Sequence, residues 1–182
     1  NLKAFEAIDK ILTAKKDWKT LEREYRKMLK RVAGQGKTDV EVNLWHFLGE
    51  IYRTRLGQIE PAVDAFQMAS RLDPENLERR KILAELLERL PGRFQEATRQ
   101  HRFLISKDPL RIDSYKDLRK SYIASHKYDR AWCVCAALSF LEKADADERQ
   151  FFEQYRPKGI VKAKSRLTNE DWLKHVAHPG GD

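Results

Sequence analysis

The feature that most constrains the fold is a pattern of apolar residues that recurs at intervals of about 35 residues. The three clearest copies contain Trp45, Leu48, Gly49, Tyr52, Ala62, Phe66, Ala69 and Pro74; then Leu83, Leu87, Ala97, His101, Leu104 and Pro109; then Tyr115, Leu118, Tyr122, Ala131, Cys135 and Leu138. A period of this length is typical of proteins that stack one supersecondary unit on the next. Such a stack buries its repeated apolar face and leaves an extended curved surface, which favours partner binding over catalysis.

The first of these copies resembles a tetratricopeptide repeat. The residues that carry the resemblance are 44–52 (LWHFLGEIY), which match the first helix of that repeat, together with Ala62, Phe66, Ala69 and Asp73-Pro74 from its second helix and its end. The interval from Tyr52 to Ala62 is one residue longer than is usual in the family, so we expect an enlarged turn around residues 55–58. A weaker copy, with Phe5, Ile8 and Leu12, lies upstream.

The resemblance implies an all-α fold, a right-handed superhelical stack of antiparallel helix pairs of the α-solenoid type, with extra C-terminal helices. We expect a single domain over residues 1–182. Its parts, in chain order, are a degenerate repeat at about 2–37, the best repeat at 38–74, further repeats at 75–109 and 110–142, and C-terminal capping helices at 143–182.

The spacing of apolar residues and capping signals predicts the individual helices. These are expected at 2–14, 18–31, 38–54, 58–71, 75–90, 92–106, 112–125, 128–142 and 144–156, with a further helix after residue 168. Asp17 is a good N-cap residue, and Thr38 with Glu41 has the spacing of a capping box. Pro74 and Pro109 are each expected to begin a helix, because proline loses no hydrogen bond at the first helical position.

The composition places the chain among ordinary helical proteins without a membrane span. The sequence is 35% charged and 41% hydrophobic, which fits helices that each bury one stripe. No run approaches the roughly 18 apolar residues that a membrane helix needs, so we expect no membrane partner. The chain starts at Asn1 rather than methionine, and we expect it to be a fragment of a longer protein. Its overall character suggests a bacterial source.

Cys133 and Cys135 are the two cysteines of the chain. Side chains two positions apart on a helix point about 160° away from each other, so these two thiols cannot form a disulfide with one another. No second group of Cys or His completes the four ligands of a zinc site. We therefore expect two free thiols, with Cys135 buried, in a reducing compartment, and we expect a cytoplasmic location.

The sequence offers no convincing catalytic or cofactor site. Residues 34–38 (GQGKT) end like a phosphate-binding loop, but the first glycine of that motif is replaced by Arg31 and the segment before it is helical, not a strand. His175 and His178 lack a third metal ligand. His101 falls at a packing position, where we expect a partly buried, hydrogen-bonded histidine. We therefore expect no enzyme activity, no metal and no cofactor.

In proteins of the resembled family, ligands commonly lie along the inner face that the first helices of the pairs form. The corresponding register here predicts a partner-binding surface made of Asn43, His46, Glu50, Arg53, Lys81, Glu85, Lys116 and Lys120. Because four of these side chains are cationic, we expect the partner to be a protein or peptide segment with acidic residues. The main hypothesis is therefore a non-catalytic scaffold for protein–protein interaction in the cytoplasm.

Two other functions remain open at this stage. The net charge is +8, with +6 in residues 1–38 and +4 in residues 156–175, and basic patches of this kind attract nucleic acids or other polyanions. Trp18, Tyr25 and Trp172 lie near these patches, but their helical spacing favours core packing over base stacking. The second alternative is structural self-association of the repeat stack. The sequence does not predict an oligomeric state.

Overall fold

A computed structural model describes residues 2–156 of the chain as an all-α protein. The helices within this range are α1 (Leu2–Ala14), α2 (Trp18–Val32), α3 (Thr38–Glu50), α4 (Ile59–Leu72), α5 (Leu77–Glu88), α6 (Phe94–Lys107), α7 (Ile112–Ala124), α8 (Tyr128–Phe140) and α9 (Ala146–Tyr155). No strand occurs among these residues. The helix predicted after residue 168 lies outside the described residues.

Each helix packs mainly against the helices before and after it in the chain, with the most extensive contacts within the pairs α3–α4, α5–α6 and α7–α8. This is the arrangement of a repeat stack, in which each unit contacts only its neighbours. One core cluster runs from α2 to α6, and a second joins α7 and α8. Phe66 lies at the centre of the first cluster and is fully buried. The predicted all-α stack of helix pairs is confirmed.

The glycine of the best repeat allows the close contact between α3 and α4. A Cβ atom built on Gly49 would lie 2.7 Å from Cε2 of Phe66, well inside the normal contact distance. The equivalent position in the next repeat is Ala84, which is also fully buried. In the third repeat it is Arg119, whose guanidinium lies beside the buried thiol of Cys135. The two helices of that pair still pack together.

The extra residue between Tyr52 and Ala62 is accommodated in a helix rather than in the turn expected at residues 55–58. α3 continues directly into a π-helical segment, Ile51–Leu56, which Gly57 ends in the left-handed conformation at φ +65°. The backbone N–H of Gly57 donates to the Tyr52 carbonyl five residues earlier, and this wider turn takes up one additional residue. The prediction of an enlarged turn at residues 55–58 was therefore wrong.

The start of α5 and the roles predicted for Thr38 and Pro109 differ from the structure, although α3 and α7 begin at residues 38 and 112 as predicted. α3 begins at Thr38 itself, so Thr38 has helical backbone geometry and makes no capping-box bond. α5 begins three residues after Pro74, because the side chain of Asn76 accepts a hydrogen bond from the Arg79 backbone N–H and fixes the start there. α7 begins three residues after Pro109, following a turn at residues 108–111. The predicted N-cap Asp17 is confirmed, since it accepts from the Thr20 backbone N–H at 3.2 Å.

α9 packs on the last repeat. The Trp132 indole N–H of α8 donates to the Phe152 carbonyl at 3.0 Å, and the two aromatic rings stack with centroids 5.3 Å apart. The start of α9 is fixed by a capping box in which Asp145 and Glu148 each accept a backbone N–H from the other residue. α9 therefore covers part of the apolar end of the stack, as terminal units of repeat proteins must.

Candidate functional site

The eight side chains predicted to bind a partner are distributed over three first helices rather than gathered at one point. Four belong to α3 and the π-helical segment, two to α5 and two to α7; these are Asn43, His46, Glu50 and Arg53, then Lys81 and Glu85, then Lys116 and Lys120. All eight are at least partly exposed to solvent. The surface they occupy is therefore long and polar.

The four cations of this surface already have carboxylate partners. The shortest N–O distances are 2.9 Å for Arg53 to Glu50, 3.8 Å for Lys81 to Asp113, 3.4 Å for Lys116 to Asp145 and 3.0 Å for Lys120 to Asp117. Exposed pairs of this kind contribute only about 0–1 kcal/mol each. A carboxylate from a partner could therefore replace the exposed internal one at little cost. Lys116 is the exception, because its ammonium also lies 3.9 Å from the carboxylate of the buried Glu148.

His46 has a packing environment rather than that of an exposed ligand-binding group. Its ring meets the Phe66 ring edge-on with centroids 5.6 Å apart, and Phe47 lies at the same distance on another side. Burial, together with the nearby Arg79 guanidinium, lowers the pKa of His46 below its usual value. The imidazole is therefore neutral near pH 7 and packs against the Phe47 and Phe66 rings.

An apolar cleft opens between α1 and α3, the first helices of the first two repeats. Its volume is about 690 Å³. Side chains from α1, α2, α3 and the π-helical segment line it, among them Leu2, Phe5, Glu6, Asp9, Trp18, Tyr25, Asn43, Phe47, Glu50 and Arg55. The cleft exists because α1 buries none of its side chains completely and makes few contacts with α3. It has the size and mixed lining of sites that hold small ligands or a partner's side chain.

Aromatic rings form the base of this cleft. The Tyr25 ring is 5% exposed and meets Phe5 edge-on at 4.9 Å, while Phe47 lies 6.5 Å away. The Tyr25 hydroxyl donates a hydrogen bond to Asp9 at 3.0 Å. Burial and the Asp9 carboxylate raise the Tyr25 pKa far above its usual value, so the phenol stays neutral. The Arg55 guanidinium lies over the Trp18 ring at 4.7 Å and closes one side of the cleft.

The residue that sequence reasoning missed is Phe47, which is 52% exposed at the edge of the cleft. It lies four positions after Asn43 and three before Glu50, so helical periodicity puts it on the same face as those two predicted residues. An aromatic side chain on an otherwise polar face was the available signal. Among the predicted set, Asn43 and Glu50 do line the cleft.

The remaining candidates behave differently from one another. Residues 34–36 form the turn between α2 and α3, with Gly34 and Gly36 at positive φ. The segment that precedes them is a helix, whereas a phosphate-binding loop follows a strand. His101 is almost fully buried, but neither ring nitrogen has a hydrogen-bond partner, so the expectation of a hydrogen-bonded histidine was wrong. His175, His178 and Trp172 lie outside the described residues.

The successive antiparallel helix pairs define an α-solenoid of the tetratricopeptide-repeat type. Two of the three clear repeats have a small residue, Gly49 or Ala84, at the close contact between their helices. The chain therefore has the tetratricopeptide-repeat fold that the sequence resembled. No helix among residues 2–156 has the length and apolar character needed to cross a membrane.

Solved structures share this fold at low sequence identity. A crystal structure of MamA superposes with a TM-score of 0.61 at 19% identity, covering 84% of this chain and 79% of that one. A tetratricopeptide repeat protein from Parabacteroides merdae gives a TM-score of 0.62 at 17% identity, over 82% of this chain and 56% of that one. YrrB, described as a TPR protein with an unusual peptide-binding site, gives 0.56 at 20% identity, over 83% and 73%. No protein-family model matches the sequence, and no significant match was found among curated proteins.

Proposed function

We propose that this chain is a non-catalytic scaffold for protein–protein interaction that binds an extended or helical segment of a partner along the inner face of its first helices. The observation that carries the proposal is the apolar cleft between α1 and α3, which offers a pocket for one anchoring side chain. A partner of this kind needs a buried apolar anchor for affinity and flanking polar contacts for orientation. The peptide-binding site in the description of YrrB supports the same reading.

The charged residues beyond the cleft favour acidic residues next to the anchor. Arg53, Lys81, Lys116 and Lys120 follow one another along the first helices, and all except Lys116 are held only by ion pairs with partly exposed carboxylates. Partner carboxylates that exchange into these pairs would fix the direction and register of the bound segment. We also propose a cytoplasmic location, which the two free cysteines support.

The test begins with selection of peptides from a displayed random library on the purified chain, followed by affinity measurements with fluorescent copies of the enriched peptides. Peptides with an aromatic or branched apolar residue beside Asp or Glu should be enriched. Phe47→Ala should weaken their binding about tenfold or more, because an aromatic contact of this size contributes roughly 1.5–3 kcal/mol. Phe47 is 52% exposed and its remaining contacts are with the His46 and Tyr25 rings, so its removal should lower the thermal midpoint by only a few degrees and leave the protein folded at the assay temperature.

Phe140→Ala is the matched control. Phe140 is 87% exposed at the end of α8 and does not line the cleft, so this variant should bind the peptides like the wild type. Peptides that bind Phe47→Ala as tightly as the wild type would show that the cleft is not the binding site. Neutralising the cations Arg53 and Lys81 to Gln should reduce affinity further only for peptides with acidic flanks.

Nucleic-acid binding remains the alternative prediction for the basic N-terminal region. The aromatic residues close to that region do not present free faces, since Tyr25 is buried and Trp18 is covered by Arg55. Base stacking on these rings is therefore not available. Titration of mixed oligonucleotides at physiological salt distinguishes the two functions. Tight binding with a steep salt dependence that Phe47→Ala leaves unchanged would favour the alternative.

A further inference from the structure

Three successive helices each contribute one side chain of a metal-binding type to a small cluster between the second and third clear repeats. These side chains are Glu88 at the end of α5, His101 in α6 and Asp117 in α7. One ligand atom from each lies within 4.8 Å of the other two. The three residues are 13 and 16 positions apart in the chain, so only the packing of the helices brings them together.

His101 is the member of this cluster whose polar atoms are buried without a hydrogen-bond partner. Its side chain is 2% exposed, and neither ring nitrogen has a hydrogen-bond partner. Buried polar groups of this kind are rare in folded proteins unless something binds them. Nε2 lies 3.2 Å from Oε1 of Glu88, yet this oxygen is outside the direction in which the ring nitrogen could donate a hydrogen bond.

The distance and direction between these two atoms fit neighbouring ligands of one ion. Ligands at the usual Zn–N and Zn–O distances in a tetrahedral site lie about 3.4 Å from each other, with the ion off the line that joins them. Glu88 and Asp117 keep 29% and 23% of their side chains exposed, so the cluster opens to solvent on one side. A water molecule can therefore reach a fourth ligand position.

Lys120 is the cation that now faces this cluster. Its ammonium lies 3.0 Å from Oδ1 of Asp117, and its side chain is 73% exposed. This ammonium competes with any other cation for the Asp117 carboxylate. An exposed lysine is a weak competitor, because such a surface pair is readily exchanged.

We propose that Glu88, His101 and Asp117 form a binding site for a divalent transition-metal ion, with Zn²⁺ the best match and water as the fourth ligand. One imidazole with two carboxylates is a donor set that suits this class of ion, whereas sites for Mg²⁺ or Ca²⁺ use oxygen ligands alone. The bound ion would connect α5, α6 and α7 and so join two repeats. This inference does not rest on the proposed peptide binding, but the two sites share Lys120, whose ion-pair partner is Asp117.

The test is a titration of the full chain with Zn²⁺ alone, by calorimetry and by thermal unfolding. The variants Glu88→Gln and Asp117→Asn remove one ligand oxygen each and keep the side-chain shape at partly exposed positions. Each should bind Zn²⁺ about tenfold or more weakly than the wild type, a loss of the order seen when a metal site is disrupted. Lys120→Met should bind Zn²⁺ more tightly, because the competing ammonium is gone.

Asp113→Asn provides the matched control, since Asp113 is an exposed carboxylate on α7 outside the cluster. Its Zn²⁺ affinity should equal that of the wild type. Zn²⁺ should raise the thermal midpoint of the wild type and of Asp113→Asn, because an ion that binds the folded state stabilises it. Equal Zn²⁺ affinity in the wild type, Glu88→Gln and Asp117→Asn would overturn the proposal, since any binding would then come from other groups.

Discussion

Replacing Gly49 by alanine tests the close contact on which the best repeat depends. Two effects of this substitution oppose each other. Alanine is better than glycine in the middle of a helix by about 1 kcal/mol, which by itself would stabilise α3. The added methyl group, however, would lie 2.7 Å from one carbon of the Phe66 ring and 2.9 Å from a second.

The Phe66 ring cannot easily move away from this methyl group. A shift of at least 0.7 Å is needed to restore an ordinary contact of 3.4 Å, and the ring is fully buried among other core residues. Overpacking of a tight core costs typically 1–3 kcal/mol, and full burial puts this site near the upper end. After subtraction of the helix-propensity gain, we expect Gly49→Ala to lower the free energy of unfolding by about 2 kcal/mol.

Urea unfolding followed by circular dichroism measures this change. With a slope of about 2 kcal/mol per molar urea, the midpoint should fall by about 1 M. Phe66→Leu in the Gly49→Ala background should recover part of the loss, because the smaller side chain makes room for the methyl group. A double-mutant cycle therefore should give a coupling free energy of about 1 kcal/mol or more. A Gly49→Ala variant as stable as the wild type, or more stable, would refute this reasoning.

Two further predictions concern Tyr52 and the cysteines. The Tyr52 hydroxyl donates to Glu22 at 2.5 Å, so Tyr52→Phe should cost about 1–2 kcal/mol at neutral pH. Burial and the Glu22 carboxylate raise the pKa of Tyr52 to about 12. Because the neutral phenol makes this hydrogen bond, its contribution to the free energy of unfolding is complete below pH 10 and is lost as the pH rises through 12. The difference in the free energy of unfolding between the wild type and Tyr52→Phe, measured by urea unfolding from pH 9 to 12, should therefore decrease. Cys133 is exposed, whereas Cys135 is buried and burial raises its pKa. An aromatic disulfide reagent should therefore modify Cys133 quickly and Cys135 only in denaturant. Rapid modification of both thiols in the native protein would contradict the packing of α8.

The helix pairs could be predicted because their signals are local. Apolar residues at helical spacing and the prolines and glycines between them give the start and end of most helices to within about two residues. Pro74 and Pro109 were each expected to begin a helix, and neither does. A proline permits a helix start but does not fix one, whereas the Asn76 side chain binds a backbone amide and does.

The continuation of α3 into a π-helical segment could not be predicted in the same way. The sequence shows one residue too many between Tyr52 and Ala62, but a loop and a π turn accommodate that residue equally well locally. The choice depends on the surroundings. Tyr52 must reach Glu22 on α2, and Gly57 must adopt the left-handed conformation that ends the segment.

The candidate site shows the same division. The inner-face register identified Asn43 and Glu50, which do line the cleft, since a helical register is a property of one helix. The cleft itself depends on how far α1 stands from α3, and that distance is set by packing against α2. The ion partners of Lys81 and Lys116 come from α7 and from the start of α9, at positions that repeat spacing does not specify.

The sequence by itself determined that this chain is a stack of helix pairs with polar residues along its first helices, because periodicity, capping residues and small residues act over a few turns of one helix. The tertiary structure decided where α1 and α3 leave an apolar cleft and where Glu88, His101 and Asp117 meet. Both features arise between helices that are distant in the chain, so they depend on packing distances that no local pattern encodes.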